Sequence, residues 1–269
     1  IAHAHVKEQA SMVQLARDQL GTIGSGNHYV DLFRDESGYL WVGVHFGSRG
    51  FGHKTCTGFL ALAAGKAWGD RVCDSGMDSV PLFLDLDTPS GQDYLTAMDL
   101  AGEYAYAGRE WVVDRVLKML GTHSVERVHN HHNFAWWETH GGERYLVIRK
   151  GATPAFPGQR GFIGGSMGED AVIVTGMDSE WSREALYSTV HGAGRVMSRT
   201  EAAGKVKWRR GPDGRKRPER VRGGRVDWPS VQERVKSQGI ELRGGGADEA
   251  PEVYKRLSDV LAYHEGTIR

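Results

Sequence analysis

The sequence predicts an α+β fold. Three observations lead there. Some stretches place apolar residues at helical spacing, others alternate apolar and polar residues, and the two kinds mix without a regular strand–helix–strand cadence. The expectation is a single mixed α/β domain. No internal repeat and no clear linker divides the 269 residues, and an apolar content of 39% suffices for a substantial core.

Residues 6–20 predict an amphipathic helix with Val6, Met12, Val13, Leu15, Ala16 and Leu20 on its apolar side, stopped by Gly21. Tyr29–Phe33 and Tyr39–His45 alternate as two strands about a polar turn at Arg34–Gly38. Residues 55–68 predict a second helix, and Pro81–Leu86 a short strand. Asp93–Lys118 carries a long helical pattern that Gly108 should break. Phe134–Glu138 and Tyr145–Arg149 predict strands around a His140–Gly142 turn. Residues 151–168 are rich in Gly and Pro and predict a loop, followed by a strand at Ala171–Thr175. Ser182–Val190 predicts a helix that delivers His191. Segments 205–226 and 238–251 predict polar loops, and Val253–Glu265 a final helix.

Composition narrows the function. Lys and Arg number 34 and so do Asp and Glu, so no global field attracts polyanions and any nucleic-acid footprint must be local. No stretch is apolar enough to span a bilayer, and the start lacks a secretory pattern. Cys56 and Cys73 make no disulfide framework. A reducing, cytoplasmic setting and a monomer are the expectation.

Twelve histidines draw the eye, and five of them sit in four islands that have the form of site pieces. Gly24-Ser25-Gly26-Asn27-His28 offers backbone amides for an anion and an imidazole for a metal. His45-Phe46-Gly47-Ser48-Arg49-Gly50 ends a strand and sets a ligand beside a guanidinium fork that suits phosphate. In His131-His132-Asn133, alternation along an extended segment sends the two histidines to opposite faces, so one at most enters a shared site. His191-Gly192-Ala193-Gly194-Arg195 places a histidine among glycines ahead of Arg195 and Arg199, where it can attack phosphorus while nearby cations stabilise the charge. Gly164-Gly165-Ser166-Met167-Gly168 can wrap a nucleotide through its main chain or be a plain flexible loop. Lys205–Arg225 holds ten Lys or Arg and two acids. A solvated loop and an RNA-backbone contact both fit it. Trp41, Trp136, Trp137 and Trp181 are read as core or sheet packing rather than base-stacking platforms.

These islands together resemble the RtcB-type RNA-splicing ligases. The match runs from about Gly21 to Tyr254. It includes Gly21-Thr22-Ile23-Gly24-Ser25-Gly26-Asn27-His28, His45 to Gly50, Gly91-Gln92-Asp93-Tyr94, His132-Asn133, Arg149-Lys150-Gly151-Ala152, Gly165-Ser166-Met167-Gly168, His191 to Arg195 with Met197-Ser198-Arg199, and Ala250-Pro251. The resemblance implies a GTP- and manganese-dependent ligase that joins RNA 3′-phosphate or 2′,3′-cyclic phosphate ends to 5′-hydroxyl ends through a guanylylated histidine. It implies His191 as nucleophile, Asn27 beside the reacting phosphates, Arg49 on an RNA phosphate, and His28, His45 and His132 as manganese ligands. Asn133, Gly165, Ser166, Met167, Ala193 and Tyr254 would surround the guanosine, with Asn27, Asp31, His132, Ala171, Gly192 and Gly194 as further nucleotide contacts. Imidazoles suit manganese less well than carboxylates do, so the metal's identity comes from the resemblance.

The resemblance implies mostly antiparallel sheets around a central metal and nucleotide cleft, and the expected domain is 1–269, without the family's Asp-x-x-Cys metal segment before Gly21 and without its C-terminal lysine segment. Asp31 stands where the family has a longer acid, and Ala171 where a serine is common. Rival classes stay open: an RNA- or metal-binding homologue that does not ligate, and a metal-dependent phosphoesterase using the same histidines.

Overall fold

The computed structural model describes residues 1–72, 82–210 and 212–269, with Trp208 and Pro218 described by backbone alone. The chain forms two compact units, Ile1–Val125 and Glu126–Arg269. Helices are mixed with two-stranded antiparallel sheets, five among the described residues, as the α+β expectation requires.

In the first unit, α1 (Lys7–Ser11) and α2 (Val13–Gln19) take the place of one predicted helix. The break is at Met12, whose N–H bonds the Gln9 carbonyl three residues back and tightens the turn. The turn lets Met12 join Ala16, Phe51, Ala101 and Tyr104 in the core. Fully buried Gln9 ties three helices together, donating to Ala97 O (2.8 Å) and Thr55 Oγ1 (3.2 Å). Strands β1 (Tyr29–Arg34) and β2 (Leu40–His45) pair antiparallel with Tyr29 opposite His45. Helix α3 (Arg49–Ala63) starts six residues before the predicted position, because the Gln19 side chain accepts from Gly50 N (2.7 Å) and caps its free amides.

Helix α4 (Pro89–Met119) runs unbroken through Gly108, against expectation. A Cβ at Gly108 would stand 3.3 Å from the Phe46 ring, so this glycine makes room for a packed ring and costs only its helix propensity. Thr88 caps the start by accepting from Gly91 N (3.2 Å), with Pro89 at the first turn. The strand expected at Pro81–Leu86 is not formed by residues 82–86, and Pro81, like Cys73, lies outside the described residues.

In the second unit, β3 (Asn133–His140) and β4 (Glu143–Lys150) form the expected hairpin. Gly141 and Gly142 turn it with φ of +60° and +87°, the left-handed pair a two-residue turn requires. The Gly/Pro-rich segment is more ordered than a loop. It contains β5 (Ala152–Pro154) and β6 (Arg160–Ile163), and β6 pairs with β7 (Val172–Thr175). The helix expected at Ser182–Val190 is α5 (Glu180–Glu184) followed by β8 (Ser188–Val190). Leu186 and Tyr187 take φ of +50° and +48°, which ends the helix, and β8 pairs with β5. That long-range pairing leaves no local pattern to read.

Helix α6 (Arg199–Ala203) leads into β9 (Lys205–Arg210) and β10 (Lys216–Arg222), a hairpin where a loop was expected. Helix α7 (Trp228–Ser237) buries Val231 and Val235 against Ala202, Ala250 and Val253. The final helix shrinks to α8 (Leu257–Ala262), because Tyr254 is extended and bridges to Arg195. A second core joins Ala155, Ile163, Val174, Ala193, Leu257 and Ile268. Trp181 is 62% exposed, so it does not pack as expected, whereas Trp136 lies in the sheet with the Arg149 guanidinium 5.2 Å from its ring.

Candidate active site

The first unit gathers one set of candidate residues at the mouth of the β1–β2 hairpin. His28 sits just before β1 and His45 ends β2, so pairing of the strands brings their ring centroids to 6.3 Å. Tyr29 stacks on His45 at 5.5 Å and 13°. Burial, reinforced by Asp31, pushes the Tyr29 phenol well above its ordinary range, so it stays protonated. Asp31 is surface-exposed as a residue, yet desolvation at its carboxyl raises its pKa.

Arg49 opens α3 in a left-handed conformation, with φ of +53°. Its Nη1 lies 3.2 Å from His28 Nδ1, while that nitrogen lies 2.9 Å from the Ile23 carbonyl. One nitrogen cannot serve both. The shorter contact goes with Nδ1–H as donor to Ile23, a backbone bond of the kind that orients metal-ligating imidazoles. Gly24 (φ +97°) lets the guanidinium in, since a Cβ there would meet Arg49 Nη2 at 2.2 Å. Asn27 is exposed on the same loop. Beneath, buried Arg109 donates to Phe46 O (2.9 Å) and fixes the 45–50 turn; burial brings its pKa down to about 10.

The second unit gathers the other set. His132 and His191 stand face to tilted face at 4.9 Å. His131 turns elsewhere and stacks on Phe134 at 5.1 Å, so only one of the adjacent histidines joins His191, as alternation required. Gly151 lies against the His191 ring: it has φ of +69°, and a Cβ would come within 3.3 Å of His191 Cε1. Its N–H donates to His132 O (2.8 Å) and to Asn133 Oδ1 (3.0 Å). The chain around His191 is clamped by the β5–β8 pairing, the Gly164–Gly192 bridge and the Arg195–Tyr254 bridge. Burial pulls the His191 pKa down and the Gly151 backbone partly offsets this. The ring is therefore neutral at pH 7, and its Nδ1 is buried with no hydrogen-bond partner among the described residues.

The 164–168 loop and Arg195 are more committed than expected. Ser166 Oγ and N both bond Glu169 (2.7 and 3.2 Å), and a Cβ at Gly165 would strike the Asp170 carbonyl at 2.6 Å. Met167 packs with the Val231–Val235 core. Ala171 lies just before β7, and Ala193 is buried with φ-positive Gly194 beside it. Arg195 was expected to stabilise developing charge. Instead it donates to Glu249, Tyr254 Oη (2.9 Å), Asp248 O (2.6 Å) and Met197 O (3.1 Å). Its Nη1 and Nη2 groups hold the 246–254 segment, and Arg199 leans on the same Glu249 at 3.2 Å. Tyr254 Oη donates to Glu249, and burial with that carboxylate keeps the phenol protonated. Glu169 and Glu249 were missed because they lie in polar stretches with no diagnostic spacing.

The family model for tRNA-splicing ligase RtcB matches residues 1–268. The chain belongs to the RtcB family. The RNA-splicing ligase RtcB of Escherichia coli K12 is 38% identical over 194 residues, 68% of this chain and 46% of that protein. The tRNA-splicing ligase RtcB of Archaeoglobus fulgidus is 32% identical over 291 residues, 91% of this chain and 55% of that protein. An RtcB homolog 1 from Entamoeba histolytica is 32% identical over 292 residues, covering 91% and 50%. The chain thus spans about half the length of these RtcB relatives.

Among the described residues of this RtcB chain, no group of three His, Cys, Asp or Glu gathers around a common metal position. The part of the donor set that fits an imidazole-binding divalent ion is the pair His28 and His45, with ring centroids 6.3 Å apart. Gly151→Ala tests the other set. A left-handed Cβ beside His191 is expected to cost about 1–2 kcal/mol. The urea midpoint of the variant should fall accordingly; an unchanged midpoint would show that the backbone relaxes there freely.

Proposed function

We propose that this RtcB chain acts as an RNA ligase that uses GTP and manganese and joins RNA 3′-phosphate or 2′,3′-cyclic phosphate ends to 5′-hydroxyl ends. The observation that supports this best is the partly buried His191, its pKa lowered by desolvation, seated on Gly151 beside His132, in a chain matched to the family along almost its whole length.

His191 attacks the α-phosphorus of GTP. An N–P bond forms, the bond to the β-phosphate bridging oxygen breaks, and pyrophosphate leaves. An oxygen of the RNA 3′-phosphate next takes the guanylate, breaking the N–P bond. The 5′-hydroxyl then attacks that phosphate, loses its proton and expels GMP. A cyclic phosphate must first be opened by water. A neutral imidazole is the required form for the first step, because a protonated ring has no lone pair to offer.

His28, His45 and His132 are the residues proposed to hold manganese, which when bound would supply neutralisation of phosphate charge. Asn27 is placed beside the reacting phosphates and Arg49 on an RNA phosphate, where a guanidinium fork suits two oxygens. Asn133 orders Gly151, and Asp31, Gly165, Ser166, Met167, Ala171, Gly192, Ala193, Gly194 and Tyr254 are proposed nucleotide neighbours. Since Ser166 and Tyr254 already bond glutamates, main-chain groups are the better contacts in their segments.

Incubating the chain with α-labelled GTP and Mn²⁺ should leave an acid-labile GMP on the protein. Release of phosphate from GTP-free RNA ends, with no labelled protein under any metal, would place the chain among phosphoesterases instead.

A further inference from the structure

The β9–β10 hairpin bears a charge arrangement that the ligation chemistry does not use. Residues 205–225 hold ten Lys or Arg against two acids, in a chain that balances at 34 of each. The rest of the chain is therefore net acidic by eight, and the ribbon concentrates positive charge against that background.

The strand register sharpens the point. Lys216 lies opposite Arg210, Arg217 opposite Arg209, and Arg222 opposite Lys205. Half of the six register pairs are cation against cation, and directly opposed like charges weaken an antiparallel pair. The acids relieve little. Glu219 pairs with Arg209 and Asp213 with Arg217, both as solvent-exposed ion pairs. Lys205, Lys207, Arg210, Lys216, Arg220 and Arg222 are exposed and pair with no acid among the described residues.

The ribbon is nevertheless firmly rooted. Gly204 and Gly224 bring two backbones into contact at its base, where added Cβ atoms would strike Arg222 O at 2.4 Å and Ala202 O at 2.2 Å. Arg225 and Val226 amides bond Glu201 O and Ala202 O, and the Arg225 side chain pairs with Glu201. Helix α6, to which it is rooted, directly follows the His191–Arg199 segment.

We propose that the β9–β10 ribbon is a binding surface for the sugar–phosphate backbone of single-stranded RNA. Alternating side chains along two paired strands form rows of cations, and phosphates between them relieve the cross-strand repulsion. Contact is to phosphate, so it holds the RNA without reading its sequence. The choice of RNA rests on the ligase reading above.

The test uses a fluorescent single-stranded RNA and anisotropy titrations across a KCl series. In the Lys205→Gln, Arg210→Gln, Lys216→Gln, Arg222→Gln variant, affinity should fall roughly tenfold or more and the log–log salt slope should flatten by about three. These changes remove like-charge pairs, so the fold is not weakened by them, and circular dichroism should be unchanged. As a second arm, Glu219→Gln should tighten binding. Unaltered affinity and slope in the quadruple variant would overturn the proposal. So would RNA binding that persists while binding to polyaspartate is lost, which would mark an acidic-protein surface. Parallel GTP labelling separates the two readings. A chain that never takes GMP but loses RNA affinity on neutralisation sinks only the ligase. A chain that labels normally with RNA affinity insensitive to neutralisation sinks only the ribbon.

Discussion

Replacing Arg149 with methionine is expected to destabilise the chain by about 3–5 kcal/mol, the largest stability effect of any single change considered. Arg149 is 2% exposed on β4. Its Nη1 and Nη2 donate to the two oxygens of Glu138 (2.7 and 2.9 Å), and its Nε donates to Ser188 Oγ (2.8 Å). Nη2 also donates to the Leu186 carbonyl (2.8 Å), in the left-handed pair that ends α5. One side chain therefore joins the β3–β4 hairpin to the turn that launches β8 and, three residues later, His191. Removing it leaves a carboxylate whose side chain is 8% exposed with His140 as its one remaining charge partner among the described residues. Methionine keeps most of the volume, so the loss reports electrostatics rather than a cavity.

The pH dependence identifies the cause. Desolvation raises the Glu138 pKa, but bonds from Arg149 and His140 outweigh it and hold the carboxyl below its ordinary range. A depressed carboxylate contributes stability that is fully present above the unfolded pKa of about 4.3 and is lost as pH falls through the folded value. Without Arg149, only His140 still opposes desolvation, so the depression shrinks and the variant should lose less stability than the parent as pH falls from 7 to 5 and below. Urea titrations at the two pH values measure this. A variant that loses stability in parallel with the parent would show that Glu138 does not carry the effect, and Glu138→Gln in the Arg149→Met background should otherwise restore part of the loss.

Much of this was legible in the sequence. The β1–β2 and β3–β4 hairpins obey simple alternation, with turn residues between them, so their strands were found nearly to the residue. Those are the elements that deliver His28, His45 and His132. What could not be read locally depended on distant partners. Strand β8 exists because β5 pairs with it, and Gly108 stays helical because Phe46 fills the space beside it. The β9–β10 charges resembled a solvated run, since a hairpin that sets cation against cation breaks the cross-strand rule used to find hairpins. The Gly24 and Gly151 motifs stand where side chains come close, at Arg49 and His191, which their local pattern did not show. They gave no warning that Arg195 would be absorbed by Glu249, because the acid lies 54 positions away.

His191→Ala should abolish GMP labelling, a loss of at least about 10³-fold, while leaving stability within about 1–3 kcal/mol of the parent. The asymmetry follows from the surroundings. The ring is only partly enclosed; it touches His132 and Gly151, and its Nδ1 satisfies no buried partner among the described residues. A side chain kept for packing would fill its polar capacity or replace it with carbon. One that must present a lone pair to phosphorus has reason to leave a nitrogen unbonded and to be desolvated enough to stay unprotonated. His191→Asn separates the two roles. It preserves polarity and much of the volume, so stability should recover toward the parent while labelling stays absent. Labelling that survives both substitutions would remove His191 as the nucleophile. Recovery of labelling in the asparagine variant would show that hydrogen bonding, and not the imidazole lone pair, is what the position supplies.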